Sequence, residues 1–327
     1  MHTNYDNVPL VLAVWLAAND GYDLNPQPNV VSATSLMKPT RSLILGRRVA
    51  ADKSVDHTID VSDLVPSRLG TAVHTAVEVA WLYSRDIGLK NLGIPQAAID
   101  KIQVNPDTPS EDPQFDIYME QRANKVIGKW IISGKFDFVE NGRVKDIKTT
   151  KVYNWIHGGN DEKYRIQGSI YRWLNPEIIT DNFVDILMVC TDWSPLMAMA
   201  DKEYPSTRIK VRTLPLMSLA ETERYIKSRL ALLEKYVSAK QDHMPLCTPE
   251  ELWQNPAKYA YYKNPKAKRA TKLCDTPQEA NALKARNGIP GSIVVERKAE
   301  PKFCKYCDGR AICLQAEGFI ASGLLKL

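Results

Sequence analysis

The chain has 327 residues, of which 44% are hydrophobic and 25% charged, and a formal net charge of +5. That composition supplies a sizeable core without disulfides and excludes a disordered chain or a small disulfide scaffold. The mildly basic balance is compatible with a nucleic-acid partner without selecting one.

Residues 8–18 form an apolar run that lacks a basic flank before it and is followed by Asn19-Asp20. It reads as an amphipathic or buried first helix, not a signal peptide. No stretch approaches the roughly 20 apolar residues of a membrane span, so no membrane partner and a cytoplasmic location are expected. Helical character extends to about residue 90, clearest over 62–83, and the Pro-, Asn- and Asp-rich stretch 91–114 reads as an irregular connection. Residues 115–122 alternate, with Phe115, Ile117 and Met119 on one face. Strands are predicted over 129–140 and 143–149, a helix over 162–174 that stops before Pro176, and strands over 183–190 and 208–214. An amphipathic helix over 219–239 follows. Near residue 243 the composition shifts toward Pro, Lys, Tyr and Cys, which divides the chain into 1–243 and 244–327.

Asn141-Gly142 between two alternating runs is a strong signal for a two-residue hairpin turn. Such a turn sets Glu140 against Arg143, Val139 against Val144 and Phe138 against Lys145, and then Asp137 against Asp146 and Lys135 against Lys148. Because side chains alternate faces, Lys135, Asp137, Asp146 and Lys148 are expected on one face. Two opposed aspartates repel unless a cation lies between them or water solvates both. A hard ion such as Mg²⁺ suits them, and Lys148 beside it suits a developing negative charge on phosphorus. Gly70, His74 and Glu78 occupy one stripe of the first long helix, where a glycine permits close approach to a sheet. Imidazole is an acceptable ligand for Mn²⁺ and a poorer one for Mg²⁺. Glu78 and Glu120 are candidates for an outer role only.

Four segments taken in order resemble the RecB-like branch of the PD-(D/E)XK nucleases. They are Gly70-Thr71-Ala72-Val73-His74, Gly134-Lys135-Phe136-Asp137, Asp146-Ile147-Lys148-Thr149-Thr150 and Gln167-Gly168-Ser169-Ile170-Tyr171. A looser likeness to phage-encoded nucleases includes Pro245-Leu246-Cys247-Thr248-Pro249-Glu250-Glu251, which would place the chain in a host cytoplasm. The resemblance implies an α/β restriction-endonuclease-like core, a mixed central sheet flanked by helices. It implies that His74, Asp137, Asp146 and the Ile147 carbonyl bind Mg²⁺ or Mn²⁺. Lys148 would be the catalytic lysine, and Gln167 and Tyr171 would orient DNA or the site. The implied activity is metal-dependent DNA hydrolysis, as an exonuclease in recombination or end processing, with phage or host recombination proteins as possible partners. The alternatives are a structure-specific or nicking endonuclease, and a catalytically inactive DNA-binding or assembly protein on the same fold.

Cys304, Cys307 and Cys313 form a C-x2-C-x5-C cluster, a metal-site pattern in a cytosolic chain. Cys247 is the first choice for a fourth ligand and Cys274 the competitor, while Cys190 sits in an apolar strand. Four thiolates suit a [4Fe–4S] cluster or Zn²⁺. The spacing resembles that of iron–sulfur nucleases in the RecB-like branch, which implies the cluster, in a structural role clamping the C-terminal region. Finally, Lys258, Lys263, Lys266, Lys268 and Arg269 lie near Tyr261 in a stretch without acids. That pattern suits a DNA path in which cations track phosphates and tyrosines stack on unpaired bases.

Overall fold

A computed structural model describes residues 2–18, 27–52, 54, 59–108 and 116–326. The chain divides into two compact units: Met1–Met37 with His57–Ala231, and Lys38–Asp56 with Leu232–Leu327. The first unit therefore loses the 38–56 segment to the second, a grouping that linear composition does not show.

Along the chain, β1 (His2–Thr3), α1 (Leu10–Ala17), β2 (Val30–Ser32) and α2 (Ala33–Leu36) precede α3 (Thr40–Ala51). β3 (Ile59–Asp60) leads through a 3₁₀ turn into α4 (Val65–Tyr83), α5 (Arg85–Asn91) and α6 (Gln96–Ile99). Then come β4 (Gln103–Val104), β5 (Asp116–Met119), β6 (Arg122–Ile127), β7 (Trp130–Lys135), β8 (Phe138–Glu140) and β9 (Arg143–Thr150). α7 (Val152–His157), α8 (Asp161–Leu174), β10 (Phe183–Cys190), α9 (Pro195–Ala200), β11 (Ile209–Pro215) and α10 (Leu219–Tyr236) follow. The C-terminal part holds β12 (Lys258–Tyr262), β13 (Lys272–Cys274), α11 (Pro277–Asn287), β14 (Ile293–Arg297) and α12 (Leu314–Ala321).

The first unit is a mixed α/β structure. Its main sheet has the order β11-β10-β9-β8-β5-β4, with β9 parallel to β10 and the β8–β9 and β10–β11 pairs antiparallel. β10 is the near-continuous apolar run Phe183 to Cys190, in which Val184, Ile186, Met188 and Cys190 on one face are almost wholly buried and Leu187 and Val189 on the other are half-buried. At the Asn141-Gly142 turn both residues have positive φ, +51° and +71°. That is the geometry a two-residue hairpin of this hand needs, and it sets Glu140 against Arg143 and Phe138 against Lys145.

The two strands expected over 115–122 and 129–140 are each broken in the middle. β6 pairs with β7 from Ile127↔Trp130 to Arg122↔Lys135, and the same register resumes at Met119↔Phe138 in the main sheet. A single long hairpin thus bends at Glu120-Gln121 and Phe136-Asp137 and passes from one sheet to the other. Glu120 takes φ +52° at the bend, and its amide donates to the Asp137 carbonyl at 3.1 Å. The bend overturns the expected Lys135–Lys148 opposition: Lys135 pairs with Arg122 in a separate three-stranded sheet, order β2-β7-β6. Phe115 lies outside the described residues, whereas Ile117 and Met119 pack with Phe138 against Trp81.

α8 lies against both sheets through two glycines, Gly134 on β7 and its own Gly168 facing β10. A Cβ on Gly134 would stand 2.6 Å from Leu174 Cδ1 and 3.1 Å from Tyr171 Cδ1, and one on Gly168 would stand 3.1 Å from Val184 Cβ. The second unit contains a small antiparallel sheet, order β13-β12-β14, with α11 packed on it, together with α3, α12 and, among the described residues, three 3₁₀ turns. No helix among the described residues is long and apolar enough to cross a membrane.

Candidate active site

The bend in the hairpin brings three donors together. His74 on α4, Glu120 and Asp137 place one ligand atom each within 4.8 Å of one another. His74 Nδ1 lies 3.4 Å from Asp137 Oδ1 and 4.0 Å from Glu120 Oε1. The other ring nitrogen, Nε2, lies 3.0 Å from the Ile147 carbonyl oxygen. Asp137 Oδ2 accepts the Ile147 amide at 2.9 Å, which fixes its rotamer against β9. Glu78, one turn beyond His74, lines the same cleft. Gly70 is less confined than its place in the stripe suggests: a Cβ there would meet only Thr149 Oγ1, at 3.4 Å.

Glu120 is the member that motif spacing leaves aside, although a signal for it exists. Counting back from the two-residue Gly128-Lys129 turn, as one counts from Asn141-Gly142, sets Glu120 opposite Asp137. The ion pair between Glu120 and the Lys135 ammonium occupies the second Glu120 oxygen.

Asp146 faces a different partner. Its carboxylate is only 3% exposed, and Oδ2 stands 2.6 Å from Lys148 Nζ. Apart from that ion pair, neither oxygen has a hydrogen-bond partner among the described residues. Burial pushes the Asp146 carboxyl up to about 6, with repulsion from Asp137 adding to it and Lys148 opposing it. Burial also acts against the charge on Lys148, but Asp146 and Asp137 outweigh it and hold the ammonium above its ordinary range. Asp137 stands below the usual carboxylate range: burial raises it, and His74, Lys148 and the Ile147 amide together pull it down. His74 stands above its ordinary value, chiefly through its hydrogen bond to Asp137. Asp137, Asp146, His74 and Lys148 therefore act on one another electrostatically, and Lys135 is set apart with Glu120.

Gln167 and Tyr171 are buried on α8, one turn apart, and Gln167 Nε2 donates to Tyr171 Oη at 2.7 Å. Tyr164, one turn earlier, brings its ring under the Lys148 ammonium, 5.8 Å from the ring centroid.

No family model and no curated protein sequence matches the chain. Solved structures do. The crystal structure of SSO0001 is 16% identical, covering 72% of this chain and 95% of that one, with a TM-score of 0.41. An alkaline exonuclease, LHK-Exo from Laribacter hongkongensis, is 12% identical over 64% of this chain and 90% of its own, with a TM-score of 0.32. A phage-related exonuclease from Haemophilus somnus 129PT is 15% identical over 63% and 92%, with a TM-score of 0.28. TM-scores this low assign neither fold nor activity, and the functional reading rests on the geometry above.

In the second unit, Cys247, Cys304, Cys307 and Cys313 line one small cavity together with Arg41, Ser42 and Arg310. Cys274 is elsewhere, buried in β13 opposite Tyr259, and Cys190 is buried in β10. Several side chains hold the cysteine-bearing loops. Gln315 Nε2 donates to the Cys247 carbonyl at 3.0 Å, and its Oε1 accepts the Cys247 amide at 2.9 Å. Gln241 Nε2 donates to the Ile312 carbonyl at 2.6 Å, and its Oε1 accepts the Leu314 amide at 3.0 Å. The buried Arg41 guanidinium donates to the carbonyls of Gln241 and Pro245 at 2.5 and 3.2 Å. α3 comes so near that a Cβ on Gly309 would sit 2.5 Å from Leu45 Cβ. Burial pushes the Cys247 thiol up to about 12 and the Cys304 thiol up to about 11, and raises Cys307 as well.

The basic segment needs correction. Tyr261 is fully buried, so it has no face to offer a base, and Tyr262 is nearly so. Lys258 is paired with Asp275, an acid just beyond the acid-free stretch. Lys263, Lys266, Lys268 and Arg269 are exposed on the loop joining β12 to β13.

Proposed function

We propose that the chain is a Mg²⁺- or Mn²⁺-dependent deoxyribonuclease of the PD-(D/E)XK type, acting as an exonuclease. The observation that carries this reading is the convergence of His74, Glu120 and Asp137 beside the Ile147 carbonyl, with the Asp146–Lys148 pair next to it. The donor set fits a hard divalent ion. Carboxylates and a carbonyl suit Mg²⁺ and Mn²⁺, and the imidazole tilts the preference toward Mn²⁺. Asp146 Oδ2 is paired with Lys148, and its buried Oδ1 has no hydrogen-bond partner among the described residues, which leaves one carboxylate oxygen for a cation.

His74, Asp137, Asp146 and the Ile147 carbonyl would hold the ion, with Glu120 beside them. A bound divalent ion supplies Lewis-acid polarisation of the phosphodiester and a water of lowered pKa. Lys148 is held as an ammonium by Asp146, ready to orient a water and to stabilise charge accumulating on the phosphate oxygens. Gln167 fixes Tyr171 within α8, and Tyr164 on the same helix lies under the Lys148 ammonium.

The four thiols that line one cavity of the second unit, Cys304 buried and the other three half-buried, fit a soft metal centre. Four cysteines suit either tetrahedral Zn²⁺ or a [4Fe–4S] cluster, and the single C-x2-C-x5-C run, without the second short knuckle common in zinc sites, favours the cluster, held by Cys247, Cys304, Cys307 and Cys313 in a structural role.

Digestion with Mn²⁺ of end-labelled linear duplex beside covalently closed circles tests the activity. Linear DNA should be degraded and circles spared, with Lys148→Ala reducing the rate by about 100-fold or more. Circles cut as fast as linear DNA would make it an endonuclease. Failure to cut either, with Asp146→Ala behaving as wild type, would leave only a binding protein. For the cysteine site, anaerobically prepared protein should be brown and lose its visible absorption in Cys304→Ala. Colourless protein carrying one zinc overturns the cluster.

A further inference from the structure

Charge in the β13-β12-β14 sheet is segregated end to end. At one end Lys258 pairs with Asp275, and Glu279 in the first turn of α11 takes Lys272, whose Nζ lies 3.3 Å from Oε1 and which stands opposite Tyr261 in the ladder. β12 runs away from that end, and the loop from Lys263 to Ala270 closes the other. α11 runs in the same direction as β12 and finishes at the loop's end, with Lys284 and Arg286 in its last turn. β14 returns from there, with Ile293 paired to Tyr262. Lys263, Lys266, Lys268, Arg269, Lys284 and Arg286 therefore gather at one end of the sheet, all exposed. Neither the loop nor the stretch 284–295 contains an acid. None of the six side chains makes an ion pair with a described residue. The loop itself is ordered: Lys263 N donates to Thr271 Oγ1 at 3.1 Å, and Lys266 N to Asn264 Oδ1 at 2.9 Å.

Six unneutralised cations on an ordered rim attract a polyanion. Tyr261 and Tyr262, the tyrosines next to this loop, are buried, so recognition at the loop falls on phosphates and not on bases. A duplex carries one charge per about 1.7 Å of axis, twice the density of one strand. From this we infer that the β12–β13 loop and the end of α11 form a grip for the phosphate backbone of double-stranded DNA, indifferent to sequence. The inference rests on the nuclease reading for the nature of the nucleic acid and names the form it takes.

The test is binding by full-length Lys148→Ala protein, without added divalent ion, to a duplex and to a poly(dT) strand of equal length across a salt series. Changing all six cations to Gln should lower the slope of log affinity against log salt for duplex by roughly 0.9 per lost contact, about 3–5 in all. Lys258→Gln with Lys272→Gln, which removes paired cations, should leave the slope within error. Duplex should bind more tightly than poly(dT), and abasic sites should not weaken it. Tighter binding to poly(dT) that abasic sites weaken would restore a stacking path and overturn the grip. So would an unchanged slope in the six-site variant, or loss of binding to phosphatidylserine vesicles with DNA affinity intact. A wild-type chain that binds duplex through these residues yet cleaves nothing removes the nuclease reading alone. An active nuclease whose duplex affinity ignores them removes the grip alone.

Discussion

The two candidate metal sites of this chain are built on opposite plans. The carboxylate site of the first unit is a product of backbone register: a tight turn fixes Asp146 and Lys148, a bend in the neighbouring hairpin fixes Glu120 and Asp137, and one helix delivers His74. The thiol site of the second unit sits on 3₁₀ turns and loops, and is fixed by side-chain amides and a buried guanidinium bonded to backbone carbonyls. The first has ladders to keep its shape whether or not an ion is bound, so an ion there would serve chemistry. The second has little regular structure of its own, and a metal there would contribute to folding.

The largest expected effect separates the two plans directly. Lys148→Ala should reduce kcat by about 10² to 10³ while the melting temperature stays unchanged, read from Mn²⁺-dependent digestion beside thermal unfolding. A matching fall in stability would mean that the carboxylate site also holds the fold. Glu120→Gln should weaken Mn²⁺ affinity by about tenfold, measured by titration of the metal. In that titration protons compete with the metal. Asp146 titrates at about 6 without a cation, and His74 is raised above its ordinary value. Both must lose a proton to bind, so affinity should fall as pH drops through about 6 and recover above it; a pH-independent affinity would exclude these two groups as ligands.

On the thiol side, Gly309→Ala forces a Cβ against Leu45 and should destabilise the protein by about 1–3 kcal/mol, with loss of metal from the cysteines and unimpaired Mn²⁺ binding in the other unit. Equal damage to both sites would erase the contrast. The smallest effect concerns Asp60, whose carboxyl is drawn down to about 2 by the amides of Tyr5 and Ser62. Because its folded value is depressed, its contribution to stability is complete above about 3.9 and is lost as pH falls from there through about 2. Asp60→Asn should flatten that part of an acid-unfolding curve and leave both metal sites unaffected.

The sequence carried whatever depends on local geometry. The Asn141-Gly142 turn, the β8–β9 register, the apolar β10 and the bounds of α8 near 161–174 all follow from φ requirements and periodicity that neighbouring residues impose. The same local logic places His74 on the first long helix and Asp146 and Lys148 on β9, whereas Asp137 falls in the break between β7 and β8 and not within a strand. It failed where the chain leaves one sheet for another. Nothing in the alternation of 129–140 announces a bend at Phe136-Asp137, and an unbent strand puts Lys135 beside Lys148 instead of on Glu120. It failed too for Tyr261, since a tyrosine between lysines looks solvated until a sheet buries it. Tertiary structure alone decided that His74 joins Glu120 and Asp137, that Cys247 and not Cys274 shares a cavity with Cys304, Cys307 and Cys313, and that 38–56 packs with the C-terminal unit. Each of these is a contact between segments far apart in the chain. Such contacts are set by which surfaces bury best against each other, a property that no single segment contains.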